Sequence, residues 1–170
     1  MNEVSTLQRL FRYKAWANDG MLKAVHRFDP VSQAMDREIA MRILNHTYVV
    51  DRIFAANLRR LEHGYKASTT ADVPALEELS QALRTSDGWY VDYVASLDRT
   101  DLAEGIDFTF TDGAPGRMTR EEMLMHVALH GACHRGQIGF LMLKNSIPPS
   151  ADGFTTYLHN AEASMRRRSG

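Results

Sequence analysis

Apolar residues recur along most of this chain at alternating steps of three and four, the spacing that gathers one face of a helix. Val4, Leu7, Phe11, Ala15, Asn18, Leu22 and Val25 form the first such seam and predict a long helix. Phe28-Asp29-Pro30 interrupts it, and a second seam over about 32–62 carries Ile39, Ile43, His46, Val50 and Ile53. A polar stretch at 64–70 reads as a loop. Asp72-Val73-Pro74 then starts a third helix with Leu76, Leu79, Leu83, Tyr90, Val94 and Leu97 inward, ending near Leu97 or Asp98. Between 105 and 118 the period drops to two: Ile106, Phe108 and Phe110 alternate with Asp107 and Thr109, and the turn signals Asp112-Gly113 and Pro115-Gly116 follow. This predicts a short hairpin-like excursion.

Thr119-Arg120-Glu121-Glu122 has the form of a capping box and opens a fourth long helix with Met123, Val127, Phe140 and Leu141 inward, stopping near Lys144 and Asn145. Pro148-Pro149 imposes an extended segment before a short last helix over about 152–165. The expected fold is all-α, a four-helix bundle with a hairpin-like excursion before the fourth helix and a short C-terminal helix. No repeat or linker divides the chain, so one domain over 1–170 is expected.

Composition narrows the function classes. Apolar residues are 44% and charged residues 24% of 170, which excludes wholesale disorder and collagen-like or disulfide-scaffold chains. Lys+Arg 20 against Asp+Glu 21 gives a formal charge of -1, with no basic field to gather nucleic acid. Arg166-Arg167-Arg168 reads as a solvated tail. The lone Cys133 excludes an internal disulfide, the opening MNEVSTLQRLFRYKAW lacks a signal-peptide layout, and no apolar run approaches a bilayer span, so a cytoplasmic, non-membrane protein is expected.

The candidate chemistry lies in the fourth long helix. His126, His130 and His134 repeat at four-residue steps and project from one face. At 1.5 Å rise per residue His126 and His134 stand about 12 Å apart, so one ion with bonds of about 2 Å takes only a neighbouring pair. Spacing does not choose between the two pairs. His46, inside the second seam, is the candidate third ligand from a facing helix; its bland alternative is a hydrogen-bonded core histidine. Three neutral imidazoles suit zinc, nickel, iron or copper and leave a coordination position open for water or substrate.

Asn18, polar within an apolar seam, needs a partner. Asn45, Asp51 and Arg135 fall off the histidine face and are expected to pair or hold neighbouring helices. Gln137, one turn past His134, is a candidate to orient substrate or a plain packing amide. Cys133 reads as a small buried hydrophobe, Trp16 and Tyr48 as core, and His26, His63 and His159 as unpartnered surface residues. The loops near 64–72 and 105–118, expected at the open end of the bundle, would shape specificity.

The segments Tyr13-Lys14-Ala15-Trp16-Ala17-Asn18, Leu44-Asn45-His46-Thr47-Tyr48-Val49-Val50-Asp51 and His126-Val127-Ala128-Leu129-His130-Gly131-Ala132-Cys133-His134-Arg135-Gly136-Gln137 resemble the DinB family of four-helix-bundle proteins, related to the YfiT-like metalloproteins. Asp112-Gly113, Pro148-Pro149, Asp152 and Tyr157-Leu158 fit the same pattern. The resemblance implies a divalent ion, commonly nickel or zinc, held by a histidine of the second helix and an H-x-x-x-H pair of the fourth. Those positions match His46, His130 and His134, and leave His126 and Gln137 as pocket or catalytic candidates. It also implies a homodimer and a metal-dependent hydrolase or a thiol-dependent transferase acting on a small molecule, with a low-molecular-weight thiol as a possible partner. The alternatives are a non-catalytic, metal-stabilised dimeric bundle and a pure interaction protein. Cys133 departs from relatives that carry a further histidine there.

Overall fold

The structure is a computed structural model that describes residues 3–163. Its elements run α1 (Glu3–Val25), α2 (Ala34–Leu58), α3 (Leu76–Ala95), α4 (Arg99–Ala103), β1 (Gly105–Thr109), β2 (Pro115–Thr119), α5 (Arg120–Lys144) and α6 (Phe154–Ala161). The fold is all-α, with the long helices α1, α2, α3 and α5 packed as a bundle and one antiparallel hairpin inserted before α5. α1 packs against α3 and α5, and α2 against α5 and α3. None of the described helices is long and apolar enough to cross a membrane.

The helix ends follow local chemistry. Asp29 Oδ1 accepts from the Val31 and Ser32 amides and turns the chain into α2. At the start of α5, Thr119 Oγ1 accepts from Glu122 N (3.1 Å) and Glu122 Oε2 from Thr119 N (2.7 Å), the reciprocal bonds of the expected capping box. α2 is shorter than the expected 32–62, because Arg60 takes a left-handed φ of 57° and ends it. α3 stops at Ala95, and Asp98 then caps the separate helix α4 through the Thr100 and Asp101 amides, a turn that apolar periodicity alone does not reveal. The last helix covers Phe154–Ala161; its expected extension to 165, and Arg166–Arg168, lie outside the described residues.

Two apolar clusters fill the bundle. One, at the hairpin end, contains Phe11, Ile53, Phe54, Tyr90, Val94, Ile106, Leu124 and Val127; the other contains Leu22, Val25, Met41, Leu44, Leu79, Leu83, Ile138 and Met142. Between them along α1, α3 and α5 lie Lys14, Asn18, Asp87 and Arg135, all buried. The bundle therefore carries a polar layer at mid-height. Ile106, 1% exposed, anchors the hairpin into the first cluster, while cross-strand Asp107 and Arg117 pair outside it. Tyr13, Trp16 and Tyr157 form a small aromatic cluster that seats α6 on α1.

Two seam assignments and the burial expected of Cys133 change. Ile39 and Phe140 face solvent, and Cys133 is exposed instead of buried. They lie where α2 and α5 present an outer apolar face that no described element covers, so the helical period marks the face correctly but not what lies against it.

Candidate metal centre

His46 projects from α2, and His130 and His134 from successive turns of α5, where these two helices pack together. His46 Nε2 lies 3.1 Å from His130 Nε2, and His134 Nε2 lies 3.0 Å from the same atom. One ligand nitrogen from each of the three rings falls within 4.8 Å of the others. The outer nitrogens fix the tautomers. His46 Nδ1 donates to the Ser68 carbonyl (2.8 Å) and His134 Nδ1 to Gln137 Oε1 (2.7 Å), since neither oxygen can donate. In the neutral rings both Nε2 atoms are then lone pairs aimed at His130.

That convergence is hard to satisfy without a cation. His130 Nε2 can carry at most one proton for two facing acceptors, and His130 Nδ1 is buried with no hydrogen-bond partner among the described residues. Burial, with the neighbouring His134 and His46 rings, pushes the His130 pKa down to about 3, so the ring is neutral and its lone pair is free to bind a cation. Nitrogens about 3 Å apart match edges of a coordination shell with bonds of about 2.1 Å. The residues present could hold a divalent metal ion.

The surroundings hold the three imidazoles in place. Asn45 Nδ2 donates to Thr70 Oγ1 (2.6 Å), tying the α2–α3 loop along α2 where Ser68 meets His46. Under α5, a Cβ on Gly131 would lie 3.3 Å from Lys14 Cε and 3.4 Å from Arg135 Nη1, so the missing side chain lets the polar layer press against the ligand-bearing turn. Lys14 Nζ donates to Asp51 Oδ2 (2.6 Å) and Asp87 Oδ1 (2.7 Å). Burial alone would lower its pKa, but the two carboxylates more than offset this and hold Lys14 charged. Asn18 finds its partners here: Nδ2 donates to Asp87 and Oδ1 accepts from Arg135 Nη1 (2.9 Å). Arg135 continues to Asp152 (2.8 Å), which also accepts from the Tyr13 hydroxyl (2.6 Å).

His126 stays outside the three-nitrogen cluster. Its ring stacks on Phe54 (centroids 4.5 Å apart, 20° between planes) and on His130 (5.5 Å), and burial lowers its pKa. His63 and His159 are not unpartnered as expected: His63 Nδ1 accepts from the Tyr65 amide (3.0 Å), and His159 Nδ1 contacts the Thr155 carbonyl (2.8 Å). The centre lies at mid-height on the α2–α5 side, not at an open end of the bundle. Its level is set by where His46 and His130 fall between the two apolar clusters.

The DinB family model matches residues 1–165. The chain belongs to the DinB family. Comparison with curated proteins and with solved structures finds no match. Sequence reasoning missed the Ser68 carbonyl, since a backbone acceptor has no side-chain signature. It also missed Lys14, although a signal was present: Lys14 stands three residues after Phe11 and four before Asn18, and so shares the buried seam of α1.

Proposed function

We propose that this DinB protein is a metal-dependent enzyme, a hydrolase or thiol-dependent transferase, with a divalent ion, nickel or zinc, held by His46, His130 and His134. The observation that carries this reading is the convergence of three Nε2 atoms, with the outer nitrogens of His46 and His134 already committed to Ser68 and Gln137. An ion bound by three imidazoles with a position open lowers the pKa of bound water toward about 7 and turns a bound thiol into a thiolate. Ser68 and Gln137 then keep the ligand tautomers. His126, which shares a cavity wall with His130, is the candidate general base.

The test is elemental analysis of protein purified without chelator, beside His46→Ala, His130→Ala and His134→Ala, followed by ester, amide and thiol-adduct substrate panels. Near-stoichiometric metal in the parent and its loss in all three variants is the expected result. Unchanged metal affinity in His46→Ala and His130→Ala overturns the site. Full metal binding with no exchangeable water or inhibitor binding would favour the non-catalytic, metal-stabilised bundle instead.

A homodimer is part of the same proposal. Ile39, Ile43, Cys133, Phe140 and Leu141 line an outer groove of about 460 Å³ between α2 and α5, and Met35 and Phe140 are 77% and 68% exposed. Such an apolar face suits a second copy. Light scattering should give twice the chain mass for the parent and the chain mass for Phe140→Glu; a monomeric parent refutes this.

A further inference from the structure

On the hairpin side of His130 lies a cavity of about 240 Å³. Its walls are Val50, Ile53 and Phe54 from α2, Phe108 and Phe110 from the hairpin, and His130 itself. Its remaining lining, Asn57, Ser68, Thr109, Thr111 and His126, adds hydroxyl, amide and imidazole groups; among the described residues no Asp, Glu, Lys or Arg lines it. Apolar cavities of about 150 Å³ accept benzene, so this one accommodates a phenyl ring with a short substituent. A charged group of that size would lose its hydration without finding a countercharge.

The hairpin is built to close this cavity. Gly116 pairs with Phe108 across the two strands. A Cβ at Gly116 would lie 2.6 Å from the Phe108 ring and 2.8 Å from the Phe110 ring, so both rings occupy the space that a side chain would take. They meet edge to face at 4.8 Å, and Phe108 faces Phe54 of α2 at 6.5 Å. Asn57 and the segment Phe108–Thr111 also border a wider groove of about 850 Å³ that includes Glu62, His63 and Lys66. The apolar cavity thus adjoins a polar groove on one side and a candidate metal ligand on the other.

We propose that the substrate presents an uncharged apolar end group, an aromatic ring or a branched alkyl of similar size, to this cavity, with its polar remainder in the groove. Ile53, Phe108 and Phe110 are then the residues that set specificity. The cavity serves a substrate only if the catalytic reading of the metal centre holds, whereas its preference for uncharged rings does not depend on that reading.

The probe pair is benzyl alcohol and benzylammonium, titrated into the full chain as purified and again after zinc loading, while the methyl signals of Val50 are followed by NMR. Saturable shifts are expected for benzyl alcohol, with affinity at least about tenfold above that for the ammonium ion. Ile53→Trp should abolish them by filling the cavity. Gly116→Ala, at a half-buried position of strand β2 beside the two rings, should weaken binding severalfold by displacing them, and carries the test if Ile53→Trp fails to fold. No saturable shift, equal binding of the two probes, or unchanged affinity in both variants overturns the proposal. Loss of zinc binding with benzyl alcohol binding retained would overturn the metal centre and leave the cavity standing; the converse result would do the opposite.

Discussion

Replacing Lys14 by Met removes the one cation that touches the Asp51 carboxylate among the described residues. The Lys14 side chain is 1% exposed, and those of its partners Asp51 and Asp87 are 0% and 5% exposed. After the substitution Asp87 keeps its bonds from Asn18 Nδ2 (3.1 and 2.9 Å), but Asp51 keeps none, because its Oδ1 already lacks a partner. Breaking a buried pair from one side in this way costs about 3–5 kcal/mol. Domains are stable by only about 5–15 kcal/mol, so from about a fifth to all of the total is at stake. For a chain of this length that corresponds to a drop in Tm of roughly 6–20 °C. Urea unfolding followed by helical circular dichroism at neutral pH measures it, provided the slope with denaturant is unchanged. Adding Asp51→Leu to Lys14→Met should recover more than half of the loss, since the orphaned charge goes with it. A loss below about 1 kcal/mol in the single variant, or a double variant no more stable than the single, refutes the reading of Lys14 as the countercharge of this layer.

Alkaline pH should unfold the protein through the same layer. Lys14 and Tyr90 both have raised pKa values, Lys14 because its carboxylates outweigh burial and Tyr90 through burial beside Asp51. Both groups are protonated in both states below pH about 10; above it the unfolded chain releases protons that the folded one keeps, so stability falls as pH rises. Urea midpoints measured from pH about 9 upward should decline, and less steeply in Tyr90→Phe; a flat profile refutes the assignment. Gly131→Ala tests the link between layer and centre. Alanine gains up to about 1 kcal/mol of helix propensity, and crowding of Lys14 and Arg135 opposes it. Net stability should change little while zinc affinity by calorimetry falls about tenfold, and unchanged affinity would show that His130 and His134 do not depend on this contact.

The long helices, the hairpin and the α5 cap were legible because each is a local matter. Ile106 alternates with Asp107 in a period that only a strand satisfies, and Thr119 with Glu122 closes a cap within one turn. Helix α4 was not legible, being a five-residue element fixed by Asp98 and Asp101 with no apolar stripe of its own. Ile39 and Phe140 have the right spacing for a core and face solvent, because a helix seam can be apolar toward a surface as well as toward a neighbour. Lys14 and Asp87 stand on the seams of α1 and α3, yet their charge reads as solvent-facing until the partner is known.

By itself the sequence determined the bundle and the histidine stripe, since helical periodicity and four-residue spacing act within one element. It also put His46 inside α2 and, through the family pattern, paired it with His130 and His134. Only the tertiary structure decided that His126 stacks against Phe54 and that the His46 and His134 Nε2 atoms both point at His130 Nε2. The same is true of the mid-height level of the centre, the Ser68 carbonyl that orients His46, and the apolar cavity closed by Phe108 and Phe110. These depend on contacts between residues some 20 to 80 positions apart, such as His46 with Ser68 and His46 with His130. Helix packing fixes such contacts, and a local pattern along one chain does not encode them.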